Sequence, residues 1–164
     1  MTVLRFFKPA ILPLAVAASG LALAACSMGG STGGGTAIAL APGLSARMDQ
    51  PGASLDRVQA ISIINAYRAT NGLPALNPDA ALDGTAQALA NQYAQTGMPP
   101  SAPQGLTLVK LSAGYATFGE TFSGWRNSPA DAVGLRATAT KAGVAVAFNG
   151  SSTYGVHWVL VLDD

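Results

Sequence analysis

Four side chains in this sequence have the type to do chemistry: Cys26, Glu120, Asp131 and His157. His157 is the only histidine, Glu120 the only glutamate and Cys26 the only cysteine. A general acid needs a second titratable group within reach, and the sequence sets none beside Glu120. An activated serine or threonine would have to use His157, but no nucleophile motif surrounds it. A lone cysteine forms no internal disulfide, and no metal site can be built on thiolates. Each residue therefore has a plain structural reading. His157 is a hydrogen-bonded strand residue, and Glu120 is a helix-start or solvated carboxylate. Asp131 follows Ser128-Pro129, where a third-position carboxylate returns a bond to the cap. As a hard-cation ligand, Asp131 remains the alternative.

The elements that carry these residues begin after residue 53. Ahead of them, Arg5 and Lys8 precede an apolar run over residues 9–21, closed by Leu23-Ala24-Ala25-Cys26. That pattern matches a bacterial lipoprotein signal with its lipobox, and the run is too short for a spanning helix. Residues 1–25 are thus a signal peptide, and Cys26 is the acylation site that anchors the chain in a membrane. Ser27 is of the non-acidic type that accompanies export to the outer membrane. Residues 26–53, with GGSTGGG among them, read as the lipidated cysteine and a flexible tether, averaging about 30 Å in span as a coil. Without Arg5 and Lys8 the chain has seven basic against eight acidic residues. The lack of a basic cluster excludes sequence-independent nucleic-acid binding.

Residues 54–164 suffice for one domain with one core. Leu55, Val58, Ile61, Ile64 and Tyr67 predict an amphipathic helix from about Ser54, ended by Asn71-Gly72. Asn77-Pro78 reads as the cap and first position of a second helix, whose face is Leu82, Ala86, Leu89, Ala90 and Tyr93. GMPPSAPQG is a surface loop, and residues 106–111 a short strand. Thr117 caps a helix that places Phe118, Phe122 and Trp125 on one face. Residues 142–148 and 154–162 are strands, with Asn149-Gly150 predicting a tight hairpin. The last strand, apolar on both faces, is expected at the centre of the sheet.

Taken together, NAYRATNGLPAL (65–76), then GYAT, GW and NSP in that order, then the GVAVA strand, resemble the bacterial branch of the CAP superfamily, the cysteine-rich secretory, antigen 5 and pathogenesis-related-1 group. The resemblance covers nearly all of residues 55–164. It implies an α+β fold, an α-β-α sandwich with a small antiparallel sheet between helices. It also implies a cleft of two histidines and acidic side chains able to hold a divalent metal. By position, the first histidine falls on Leu89, the Glu-Asn pair near Val109 and Lys110, and the second histidine on Asp131. Leucine and valine offer no lone pair, and one carboxylate does not hold zinc against water. No cofactor or metal is therefore expected.

The expected function is a non-catalytic, lipid-anchored binding or interaction module of the bacterial envelope, facing the periplasm or the cell surface. Apolar ligands such as lipids are favoured because relatives bind sterols or fatty acids; an envelope protein or the cell wall is the other class of partner. Two alternatives stay open. One is an envelope hydrolase with a non-standard cleft that uses Asp131, Glu120 or His157; the other is a structural lipoprotein without a ligand.

Overall fold

This computed structural model describes residues 42–164; the signal peptide, the lipobox and Cys26 lie outside them. The described residues fall within one compact unit. A short α1 (Pro42–Ser45) leads to the first long helix, α2 (Arg57–Thr70), capped by Asp56, whose carboxylate accepts from the Gln59 amide. Ala60, Ile61, Ile64 and Arg68 form its buried face, while Val58, expected on that face, is 68% exposed. Gly72 closes the helix with a positive φ of 69°, as the Asn71-Gly72 pair predicts.

Asn77-Pro78 is not a helix start. The two residues form β1 (Asn77–Pro78), and Asp79 caps the next helix, α3 (Ala80–Thr96), by accepting from the Ala81 and Leu82 amides. Asn77 and Asp79 instead donate their backbone amides to the Thr140 and Ala142 carbonyls, and Pro78 between them, without a donor, is tolerated because this is an edge strand. Then come β2 (Leu108–Ala113), α4 (Phe118–Asn127), α5 (Pro129–Leu135), β3 (Lys141–Phe148) and β4 (Val156–Asp163).

The sheet has the order β1-β3-β4-β2. β4 is antiparallel to both β2 and β3, whereas β1 adds to β3 in parallel, so the small sheet is mixed rather than wholly antiparallel. Side chains alternate across it. Trp158, Leu160 and Leu162 face a core shared with α1, α2, α4 and α5, whereas Val159 and Val161 face α3. Two helical layers therefore enclose the sheet, with β4 at its centre. α3 comes close because its facing residues are small: a Cβ built on Gly143 would fall 2.1 Å from the Leu82 carbonyl carbon.

Two boundaries differ from the sequence reading. Leu44 and Met48, assigned to the tether, are buried in the core, and the Met48 amide donates to the Ala116 carbonyl at 2.7 Å. The packed domain thus starts before residue 54. The β3–β4 connection is a wide loop instead of a tight Asn-Gly hairpin, since only Gly155 in it has a positive φ. Asn149 has other work: its side chain donates to the Ala94 carbonyl and accepts from the Ser151 amide.

Arg68 ties α2 to α5 from inside their shared layer. It is 1% exposed and donates to the carbonyls of Pro74, Leu135 and Ala137. These bonds fasten the turn after α2 and the end of α5 to one guanidinium.

Candidate functional site

Asp131 sits in the first turn of α5, and its carboxylate meets the Lys110 ammonium at 2.5 Å. The sequence reading pairs it with the Ser128 cap; Ser128, however, makes no side-chain cap bond to the helix amides. The hydrogen bond from Lys110 is the main reason the Asp131 carboxyl lies below its ordinary pKa; burial opposes it, and Ser128 adds a smaller favourable contact. Lys110 is 8% exposed, and its Nζ lies 6.0 Å from the centre of the Trp125 ring. An ammonium in this place neutralises the carboxylate and repels a second cation.

Register separates this pair from the other positions. Lys110 lies opposite Leu160, on the α4 and α5 side of β2, while Val109 lies opposite Val161 and packs with Leu89 in the α3 core. The edge strand thus divides Leu89 and Val109 from Lys110 and Asp131. Among the described residues no cluster of three or more His, Cys, Asp or Glu side chains forms a metal site.

Glu120 is a capping carboxylate. Its Oε2 accepts from the Ala116 and Thr117 amides at 3.1 and 3.0 Å, and Thr117 returns the bond by accepting from the Glu120 amide. The box opens α4 and turns Phe118, Phe122 and Trp125 inward.

His157 lies on the opposite face of the sheet, completely buried against α3. Its ring meets Tyr93 edge-on at 4.6 Å between centroids, and its Nε2 is 3.2 Å from the Ser152 hydroxyl. Nδ1 is buried without a hydrogen-bond partner of good geometry. Burial pushes the histidine pKa down, against a smaller opposing contact with the Gly155 backbone. Ser152 is the partner that sequence reasoning misses, because the loop that carries it was read as a tight turn. Glu120, Asp131 and His157 each have separate partners, and no described contact joins any two of them.

The concave surface lies elsewhere. A groove of about 530 Å³ runs between α2 and α4, with Ile63, Ala66, Tyr67 and Phe122 on its walls, Leu44 at one end and Arg126 at its rim. Tyr67 and Phe122 meet edge-on at 6.0 Å, and the Arg126 guanidinium lies 6.0 Å from the Phe122 ring centre. A second hollow of about 640 Å³ adjoins it across Leu44, Gly119 and Ser123, and is bounded by Tyr115, Glu120 and Asn127. Gly124 makes room for Tyr115 there: a Cβ on it would meet the phenol oxygen at 3.0 Å.

Comparison with known proteins accords with this architecture. The family described as "CAP: Cysteine-rich secretory protein family" matches residues 61–162, more than half of the chain. The chain belongs to the CAP family. Among solved structures, an extracellular protein containing a SCP domain from Bacillus anthracis str. Ames is similar, with a TM-score of 0.52 and 16% identity over 66% of this chain and 40% of that one. The chain therefore spans well under two thirds of that protein. MpPR-1i, in a crystal soaked with selenourea, has a TM-score of 0.52 and 21% identity over 65% of this chain and 88% of its own. An outer surface protein of Borrelia burgdorferi has a TM-score of 0.47 and 19% identity, covering 65% of this chain and 90% of its own. No curated protein sequence matches the chain. At these identities the structural likeness is one of fold. In this CAP domain, the positions that the resemblance assigns to two histidines hold Leu89 and Asp131, and Asp131 is paired with Lys110.

Proposed function

We propose that this CAP domain is a non-catalytic binding module, held on the bacterial envelope by acylated Cys26, and that its ligand is an acyl lipid with an anionic head. The α2–α4 groove carries this reading. Its walls are apolar, and Arg126 at the rim is exposed and has no carboxylate partner among the described residues. An acyl chain entering the groove removes apolar surface from water at about 25 cal/mol per Å², and the head can form a charge-assisted bond to Arg126. The extracellular setting named for the Bacillus protein accords with export. Envelope proteins or the cell wall are the competing partners.

Titration of a fluorescent fatty acid tests the groove. Ala66→Trp fills it and should abolish binding; Arg126→Gln should weaken binding about tenfold or more, the range for a hydrogen bond to a charged group. Binding unchanged in both variants contradicts the reading. The anchor has its own test: Cys26→Ser should leave the chain unprocessed and unlabelled by fatty acid, and normal labelling of that variant overturns it.

One observation supports a second reading, that of a hydrolase: Ser152 and His157 are 3.2 Å apart, within reach for base activation. Labelling of Ser152 by a fluorophosphonate, lost in His157→Gln, would favour it. Absence of labelling removes it.

A further inference from the structure

We propose that Arg57 is the anchor of a small oxyanion-binding site, suited to a carboxylate-bearing ligand, where the start of α2 meets α3 and β3. The side chain is half-buried, and one of its terminal nitrogens donates to Gln87 Oε1 at 2.8 Å. Gln87 is held in turn, its Nε2 donating to the Val146 carbonyl at 3.0 Å and to Asn91 Oδ1 at 3.1 Å. The amide therefore cannot flip without losing both bonds, and it holds one arm of the guanidinium.

The rest of that guanidinium is unmatched. Its Nε is buried without a partner, and the ion pairs among the described residues, Arg47–Asp49 and Lys110–Asp131, leave it without a counter-ion. The neighbouring carboxylate, Asp56, is committed to the Gln59 amide at 2.9 Å. A guanidinium partly withdrawn from water needs hydrogen-bond partners and favours an opposite charge. Water can supply the first but not the second.

A hollow of about 180 Å³ lies against the side chain, lined by Ala53, Ser54, Leu55, Arg57, Gln87 and Val146. A water molecule takes about 30 Å³ of liquid volume, so the hollow has room for a carboxylate or phosphate group with a short stem. It shares Ala53 and Val146 with a neighbouring hollow of about 390 Å³ that continues past Pro51 to Phe148. A short peptide or small organic acid fits this layout, its carboxylate against the guanidinium of Arg57 and its body along the loop before α2. The site shares no lining residue with the α2–α4 groove, so it does not depend on the lipid reading.

The test uses the full chain, purified in detergent, titrated calorimetrically with three probes: N-acetyl-alanyl-alanine with a free carboxylate, the same dipeptide as its C-terminal amide, and inorganic phosphate. The free acid should bind saturably, the amide at least tenfold more weakly. Arg57→Gln should lose that preference, while Arg57→Lys, which keeps the charge but not the fork, retains part of it. Binding of phosphate but not of the dipeptide acid identifies the oxyanion as phosphate and keeps the site. Equal binding of acid and amide, no binding of any probe, or an undiminished preference in Arg57→Gln overturns the proposal. The acid-against-amide comparison in the unaltered protein remains decisive if either variant fails to fold.

Discussion

Lys110 on the edge strand and Asp131 on α5 face each other at 2.5 Å, close to where the family resemblance puts a metal-binding cleft. The charge that faces Asp131 is the Lys110 ammonium. The pair also joins β2 to α5 and sets the ammonium near the Trp125 ring.

Breaking the pair from either end should give unequal results. Asp131→Ala strands a nearly buried ammonium and should cost about 1–2 kcal/mol, a range reduced for solvent screening, since the Asp131 side chain is 44% exposed. Lys110→Met keeps the stem packed and leaves Asp131 to water, so it should be close to neutral. Urea denaturation of both variants and of the double variant checks the order. A Lys110→Met loss larger than that of Asp131→Ala contradicts it.

His157 should make stability depend on pH. Its folded pKa lies below the ordinary histidine value of 6.5 because the ring is buried, so the unfolded chain binds more protons in that window. Stability from the neutral ring is fully present above about pH 6.5 and declines as pH falls towards the folded value. The groups facing the ring are Tyr93 on α3 with Tyr154 and Ser152 in the loop; no Asp, Glu, Lys or Arg is among these contacts. His157→Gln should flatten the slope of unfolding free energy below pH 6.5. Asp131 acts lower down: its depressed pKa contributes stability above its ordinary value of 3.8, which is lost as pH falls through the folded value.

Arg68→Met should be among the most damaging substitutions in the domain. It removes a buried cation that satisfies three carbonyls, at a cost of about 3 kcal/mol or more. Arg68→Lys should recover only part of this, because one ammonium lacks the fork that reaches Pro74 and Leu135 together. Thermal unfolding of the two variants reads the difference.

Gly143→Ala should force α3 away from β3. The new Cβ would lie 2.1 Å from helix backbone, which cannot rotate aside, and overpacking of this kind costs about 3 kcal/mol. Gly84→Ala is the control, since nothing lies within 4 Å of a Cβ there; as a helix position it should gain slightly in stability.

Local chemistry was readable where it was sufficient. The small-residue face of α3, Thr117 as the cap of α4 and the central place of β4 all follow from spacing and composition, and all are present. What failed depended on partners distant in sequence. Asn77-Pro78 had the residues of a helix start, but pairing with β3 drew it into the sheet and gave the cap to Asp79. Asn149-Gly150 had the residues of a tight turn, but Ala94 on α3 took the asparagine side chain. Lys110 was visible as the one charge in LTLVKL, and its side of the strand could be counted. Its partner on α5 became apparent only with the tertiary packing.

The claim that the α2–α4 groove takes an acyl lipid is tested most directly by native mass spectrometry. A soluble form spanning residues 27–164 would be exported to a bacterial periplasm, purified without detergent and examined beside its Ala66→Trp variant, with zinc then added to each. The account predicts a co-purifying acyl lipid that dissociates on activation, is absent from Ala66→Trp, and is accompanied by no stoichiometric zinc. Protein free of lipid, or equal lipid on both forms, would contradict the groove as the binding site, and stoichiometric zinc would contradict the view that Lys110 takes the place of a metal.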